Sequence, residues 1–143
     1  VLDLAVTVQT NHFNGNYEIS VVIKEMRQNG FDDDVFFKEF DNYQAYKSGR
    51  VYNALALTPT RSEVGEVYRA ITQKGILEQK LINIFLNTLG YAKTKISLDV
   101  LCDLKLIGFE NFKYFSYKTT EKTNLLNSGI YSALVKECEG LDK

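Results

Sequence analysis

The sequence predicts an α+β fold. Two observations carry that prediction: apolar residues alternate at period two in the first stretch of the chain, and three helical stripes follow one another in the second half before a brief return to alternation. The chain has 143 residues, the size of one domain or of one domain with part of a neighbour. Its composition, 45% hydrophobic and 13% aromatic with a single proline, is that of a chain with a packed core.

Leu2 to Gln9 alternates large apolar with smaller or polar residues, and Tyr17, Ile19, Val21 and Ile23 repeat the pattern. Asn11 to Asn16, rich in residues that tolerate positive φ, reads as the turn joining the two strands into an antiparallel hairpin spanning residues 1–27. Such a hairpin is marginal by itself and calls for packing partners.

Residues 28–57 predict a connecting helix and an extended segment. Phe36, Phe40 and Tyr43 fall at helical spacing, so a helix is expected from about Asp34 to Lys47, with Ser48 and Gly49 ending it. Asp32, Asp33 and Asp34 at its start are explained by capping and the helix dipole rather than by a metal, since neither histidine nor glutamate stands near at ligand spacing. Arg50 to Leu57 alternates through Val51, Leu55 and Leu57 and reads as extended.

Residues 58–143 predict a compact helical unit. Pro59 and the Thr60 to Glu63 capping box start a helix with the stripe Val64, Val67, Tyr68 and Ile71, ending at Gly75. A second helix from about Leu77 to Asn87 stops before Gly90, and a third runs from about Thr94 to Leu104. Leu106 to Phe109 and Phe112 to Lys118 then read as two short strands. A last helix is capped by Asn127 or Ser128, carries Tyr131, Leu134, Val135 and Cys138 on one face, and ends at Gly140. Three helices followed by a small hairpin is the order of a winged-helix domain.

Charge limits what such a unit does. The formal net charge is −1, without the basic excess of a free-standing nucleic-acid binder. The third helix and its ends offer Lys93, Lys95 and Lys105, but Asp99 and Asp103 share the segment and it has no arginine to read guanine edges. Sequence-specific duplex reading is therefore disfavoured. The aromatic strand Phe112, Tyr114, Phe115, Tyr117, flanked by Lys113 and Lys118, has the composition of a base-stacking surface, although the filling of a small core is the favoured explanation. Cys102 and Cys138 lack metal-ligand spacing and read as small core residues, with a disulfide as the minor alternative. No stretch approaches the roughly twenty apolar residues of a membrane span, so the expected location is the cytoplasm, without a membrane partner. Val1 opens directly into a strand pattern, and the chain is expected to be a piece of a longer protein.

Leu2 to Arg27, with Asn11, Phe13, Asn14 and Gly15 about its turn and the closing run Val21, Val22, Ile23, Lys24, Glu25, Met26, Arg27, resembles the end of the OB-fold domain in RecJ proteins. Leu57, Thr58, Pro59, Thr60, Arg61, leading into Val67, Tyr68, Arg69, resembles the opening of the extra carboxy-terminal domain of RecJ proteins of Gram-positive type. Lys122, Thr123, Asn124, Leu125, then Ser128 and Tyr131, resembles the end of that domain. The resemblance implies a parent enzyme that degrades single-stranded DNA from its 5′ end in recombination and repair with manganese or magnesium. The aspartate and histidine motifs of its DHH-type domains do not occur in this chain, whose one histidine is His12, so no catalytic residue carries over and the chain itself is expected to hold no cofactor.

For binding, the resemblance implies an OB-fold surface that takes in Phe13, Tyr17 and Lys24. It also implies partners: the rest of the exonuclease, single-stranded DNA, and single-strand-binding protein or other repair proteins. Lys93, Lys95, Lys113 and Lys118 complete the candidate nucleic-acid contacts. The competing expectation is an independent winged-helix DNA-binding or protein-interaction domain, which would dimerise and prefer duplex DNA.

Overall fold

The computed structural model describes residues 2–13, 16–28, 32–119 and 121–141, with side chains described from residue 32 onward. Two compact units emerge, residues 1–33 and 34–143. The architecture is mixed helix and sheet, as the α+β expectation has it.

In the first unit β1 (Leu2–Phe13) pairs antiparallel with β2 (Asn16–Gln28), from Phe13 opposite Asn16 to Leu2 opposite Gln28. The turn expected over Asn11 to Asn16 is too long. Asn11, His12 and Phe13 are strand residues facing Glu18, Tyr17 and Asn16 in register, and residues 14 and 15 lie outside the described residues. Alternation in sequence reports burial, whereas ladder pairing needs only backbone, so polar strand ends escape a pattern-based reading. The register shifts between Ala5 and Val6: Ala5 faces Glu25 but Val6 faces Ile23, leaving Lys24 as the extra residue of a bulge.

The second unit begins with α1 (Asp33–Lys47), close to the expected bounds. The extended reading of Arg50 to Leu57 is corrected. Ala54–Leu57 forms a helical turn, α2, whose Ala54 and Leu57 are buried, whereas Val51 is 98% and Leu55 55% exposed. Asn53 decides this locally: its side chain accepts from the Ala56 amide, and Asn42 of α1 holds Asn53 by both its backbone amide and its carbonyl.

α3 (Arg61–Ala70) starts at Thr60, whose side chain accepts from the Glu63 amide while Glu63 accepts from the Thr60 amide, the expected capping box. It ends at Ile71, ahead of the expected Gly75. The Thr72 carbonyl accepts from both Gly75 and Ser116 amides, drawing the chain out of the helix and into a sheet. There a strand without a sequence signal, β3 (Ile76–Leu77), pairs with β5; two residues are too few to show a period.

α4 (Glu78–Phe85) and α5 (Gly90–Asp103) follow. α5 starts four residues before the expected Thr94, because Gly90, read as a stop, is its first residue. β4 (Ile107–Glu110) and β5 (Lys113–Ser116) make the expected hairpin, and with β3 they form an antiparallel sheet of order β3-β5-β4. A 3-10 turn, Leu125–Asn127, leads to α6 (Gly129–Leu141). Ser128 is its cap, its Oγ accepting from the Tyr131 amide, and the helix runs through Gly140 to Leu141.

The core of this unit lies on two sides of α5. Leu98 and Leu101 join Val64, Val67, Leu81, Phe85, Ile107 and Tyr114 from α3, α4 and the sheet. Tyr91, Ala92, Ile96 and Val100 join Tyr43, Leu57 and Leu134 from α1, α2 and α6. At about 1.5–3 kcal/mol for each fully buried aliphatic side chain, this packing dominates the unit's stability. The buried hydroxyls within α5 are satisfied internally, Thr94 Oγ1 donating to the Gly90 carbonyl and Ser97 Oγ to that of Lys93, each at 2.7 Å. Cys102 and Cys138 are free thiols: Cys102 packs on the first cluster and Cys138 Sγ lies 3.3 Å from Thr58 Oγ1. No helix of the described residues is long and apolar enough to cross a membrane.

Candidate nucleic-acid interface

The candidate lysines of α5 are committed inside the unit. Lys93 Nζ lies 3.4 Å from the Glu63 carboxylate of α3. Lys95 pairs with Glu78 at the start of α4 and stands 5.7 Å from the centre of the Tyr43 ring. The acidic residues that argue against DNA reading are committed too. Tyr43 Oη donates to Asp99 at 2.7 Å, and Ser128 Oγ donates to Asp103 at the same distance. Burial, then the hydrogen bond to Asp99, pushes the Tyr43 phenol far above its ordinary pKa. α5 is thus an internal strut whose charged residues tie it to α1, α3, α4 and α6.

The aromatic strand divides between core and surface. Tyr114 is buried, its ring 4.6 Å from that of Phe109 and its hydroxyl donating to Glu78, so core filling holds for this residue. Burial and the Glu78 carboxylate raise its pKa. Phe115 and Tyr117 face the other way, in edge-to-face contact at 5.3 Å, and Tyr117 is 48% exposed. Gly108, opposite Phe115 in register, gives them room: a Cβ there would come within 2.6 Å of the Phe115 ring and of the Tyr117 hydroxyl. Phe112, at the hairpin tip with φ +62°, is 79% exposed; its carbonyl accepts from the Glu78 amide and fixes the turn to α4.

Lys113 is exposed on the same face as Phe115. Together with Gln73, Lys74, Gly75, Glu110 and Asn111 they line an open depression of about 340 Å³. Lys74 and Glu110 carry no signal in the sequence, because the depression exists only once β3 brings the turn after α3 against β5. The signal available is Gly75, whose φ of +95° makes the turn. Lys118 is exposed just beyond β5. Phe13 and Tyr17 face Asn16 and His12 in the hairpin ladder, and Lys24 is the bulge residue; these three belong to the first unit, separate from the lysines of the second.

A second depression, of about 840 Å³, lies between α1 and the segment leading to α2. Lys38 and Arg50 line it alongside Glu39 and Asp41, so it presents no net charge to a ligand. Among the described residues no group of three or more His, Cys, Asp or Glu side chains is gathered so as to hold a metal ion.

No protein-family model, curated protein or solved structure matches the chain.

Proposed function

We propose that the chain is a non-catalytic accessory region of a RecJ-like 5′→3′ single-stranded DNA exonuclease, comprising the closing hairpin of an OB-fold and a winged-helix-like unit that acts as a scaffold and docking module. The resemblance of residues 2–27, 57–69 and 122–131 to the corresponding parts of RecJ proteins motivates the family. The finer fold assignment draws support from the order α3, β3, α4, α5, β4, β5 with sheet order β3-β5-β4, the helix, strand, helix, helix and hairpin sequence on which winged-helix domains are built.

The burial of α5 carries the reading of an accessory module. A winged-helix reader lays its third helix in the major groove, so one face of that helix must be open. Here Leu98 and Leu101 pack on one side of α5 and Tyr91, Ile96 and Val100 on the other, while Lys93 and Lys95 are spent on Glu63 and Glu78. A helix so enclosed supports the unit and does not enter duplex DNA. Metal-dependent hydrolysis then belongs to other domains of the parent.

Two measurements test the reading. In anisotropy titrations the chain binds single-stranded oligonucleotides weakly and with steep salt dependence, in preference to matched duplex; clear duplex preference would overturn the accessory reading. The coding sequence upstream of Val1 is expected to encode DHH-type aspartate and histidine motifs, and their absence would remove the RecJ assignment.

A further inference from the structure

We propose that the outer face of the β3-β5-β4 sheet is a contact site for single-stranded nucleic acid, with Phe115 and Tyr117 stacking against bases while Lys74 and Lys113 hold phosphates. This deepens the accessory-region reading and rests on it, since that reading says which ligand the module meets.

The sheet has two unlike faces. Ile107 and Tyr114 point into the core, whereas Gly108, Phe115 and Lys113 share the opposite face. On that face Gly108 lets the Phe115 and Tyr117 pair lie over the strand, since a side chain there would collide with both, while Gly75, with φ +95°, makes the turn that brings Lys74 beside Lys113. Tyr117 is exposed and rests edge-to-face on the half-buried Phe115, so the pair offers ring faces at right angles on which single bases can stack without regard to sequence.

Charge selects the ligand. Three lysines of this unit are bound to carboxylates: Lys47 with Asp99, Lys93 with Glu63 and Lys95 with Glu78. Among the described residues Lys74 and Lys113, like several other lysines of the unit, form no such ion pair; what sets these two apart is that both border the depression that Phe115 also lines. Glu110 faces Lys113 across the β4–β5 ladder and lines the depression too, so it offsets part of the field, and the expected affinity is weak and salt-sensitive. An acidic peptide would be served by the lysines but leaves the aromatic pair without a role. Stacked bases joined by phosphates use both.

The test is an anisotropy titration of the full chain with fluorescein-labelled oligothymidylate and with a matched duplex, at several salt concentrations. Tyr117→Ala is expected to weaken single-strand binding about tenfold, the loss of one stacked base, whereas Tyr117→Phe retains it. Replacing both Lys74→Gln and Lys113→Gln is expected to lower the slope of log affinity against log salt by about 1.4, two phosphate contacts at about 0.7 each. Thermal melts of the variants confirm that the fold is kept. Single-strand binding that ignores both Tyr117→Ala and the double lysine variant would overturn this site while leaving the accessory-region reading intact. No measurable single-strand binding at low salt would overturn it too. If duplex binds more tightly than single strand, the accessory-region reading falls as well.

Discussion

The carboxylate of Glu39, on α1, occupies the space beside Gly90 that a side chain at that position would need. A Cβ on Gly90 would come within 2.6 Å of Glu39 Oε2 and nearer still to Oε1. Leu89 gives α5 no side-chain cap, and the Glu39 carboxylate stands at this end of the helix, where the Tyr91 amide acts to lower its pKa. Gly90 has φ +83°, a conformation L-residues enter only at a cost. Gly90→Ala is therefore expected to destabilise the unit by about 2–4 kcal/mol, from the left-handed backbone and the displaced carboxylate together. Urea denaturation measures it. In the Gly90→Ala background, Glu39→Ala should cost less than it does alone, because the clash disappears with the carboxylate. Strict additivity would show that the two residues do not compete for this space.

The same carboxylate gives stability a pH dependence. Burial is the largest influence on Glu39 and raises its pKa above the ordinary carboxylate value of 4.5; the Tyr91 amide and Lys93 oppose this less strongly. An acid whose pKa is raised by folding binds more protons folded than unfolded. Its contribution to stability thus declines as pH climbs from the ordinary carboxylate range through the folded value, and stays lower above it. Glu39→Gln keeps an acceptor for the Tyr91 amide and removes the buried charge. The variant is expected to be more stable than the parent chain at neutral pH, with the difference closing in acid. Urea midpoints across that range decide it, and a difference that widens on acidification would contradict the assignment.

Elements whose signal is local are legible in the sequence, and those made by contact are not. The Thr60 and Glu63 capping box, the α1 stripe and the β4–β5 hairpin depend on neighbours a few residues away, and each is visible in the chain. Gly90 reads as a stop because its role is set by Glu39, far earlier in the sequence. β3 escapes because a two-residue strand exists only against Tyr114 and Lys113 of β5. The same limit applies to the candidate site: Lys113, Phe115 and Tyr117 stand out as an aromatic and basic strand, but Lys74 joins them only through β3. Lys93 and Lys95 look available because the sequence does not say that Glu63 and Glu78 face them.

α5 ends without the glycine its termination geometry favours. Lys105 has φ +60°, its amide donates to the Cys102 carbonyl, and the Leu106 amide reaches back to Leu101. This is a Schellman ending with lysine at the left-handed position. Lys105→Gly is expected to raise stability by about 1 kcal/mol, since the left-handed strain it relieves exceeds the added freedom of the unfolded chain. A shift of the thermal midpoint upward confirms it. A loss of stability would mean that the lysine side chain contributes more than its backbone costs.

Ser128 joins the end of α5 to the start of α6 through one hydroxyl. Its Oγ donates to Asp103 Oδ2 at 2.7 Å and accepts from the Tyr131 amide at 3.2 Å, and the residue is buried. Ser128→Ala removes both bonds and leaves the Asp103 carboxylate short of a donor, an expected loss of about 1–3 kcal/mol. Ser128→Asp separates the two roles. Aspartate caps helices as well as serine does, so a purely capping Ser128 would tolerate it with little change. Here the new carboxylate can accept from Tyr131 but has no proton for Asp103, and two like charges meet in a partly buried position. Ser128→Asp is therefore expected to be at least as destabilising as Ser128→Ala at neutral pH, and to recover partly in acid as one of the paired carboxyls takes up a proton. Chemical denaturation of both variants at neutral and acidic pH tests this, and wild-type stability for Ser128→Asp at neutral pH would show that the Asp103 bond contributes nothing.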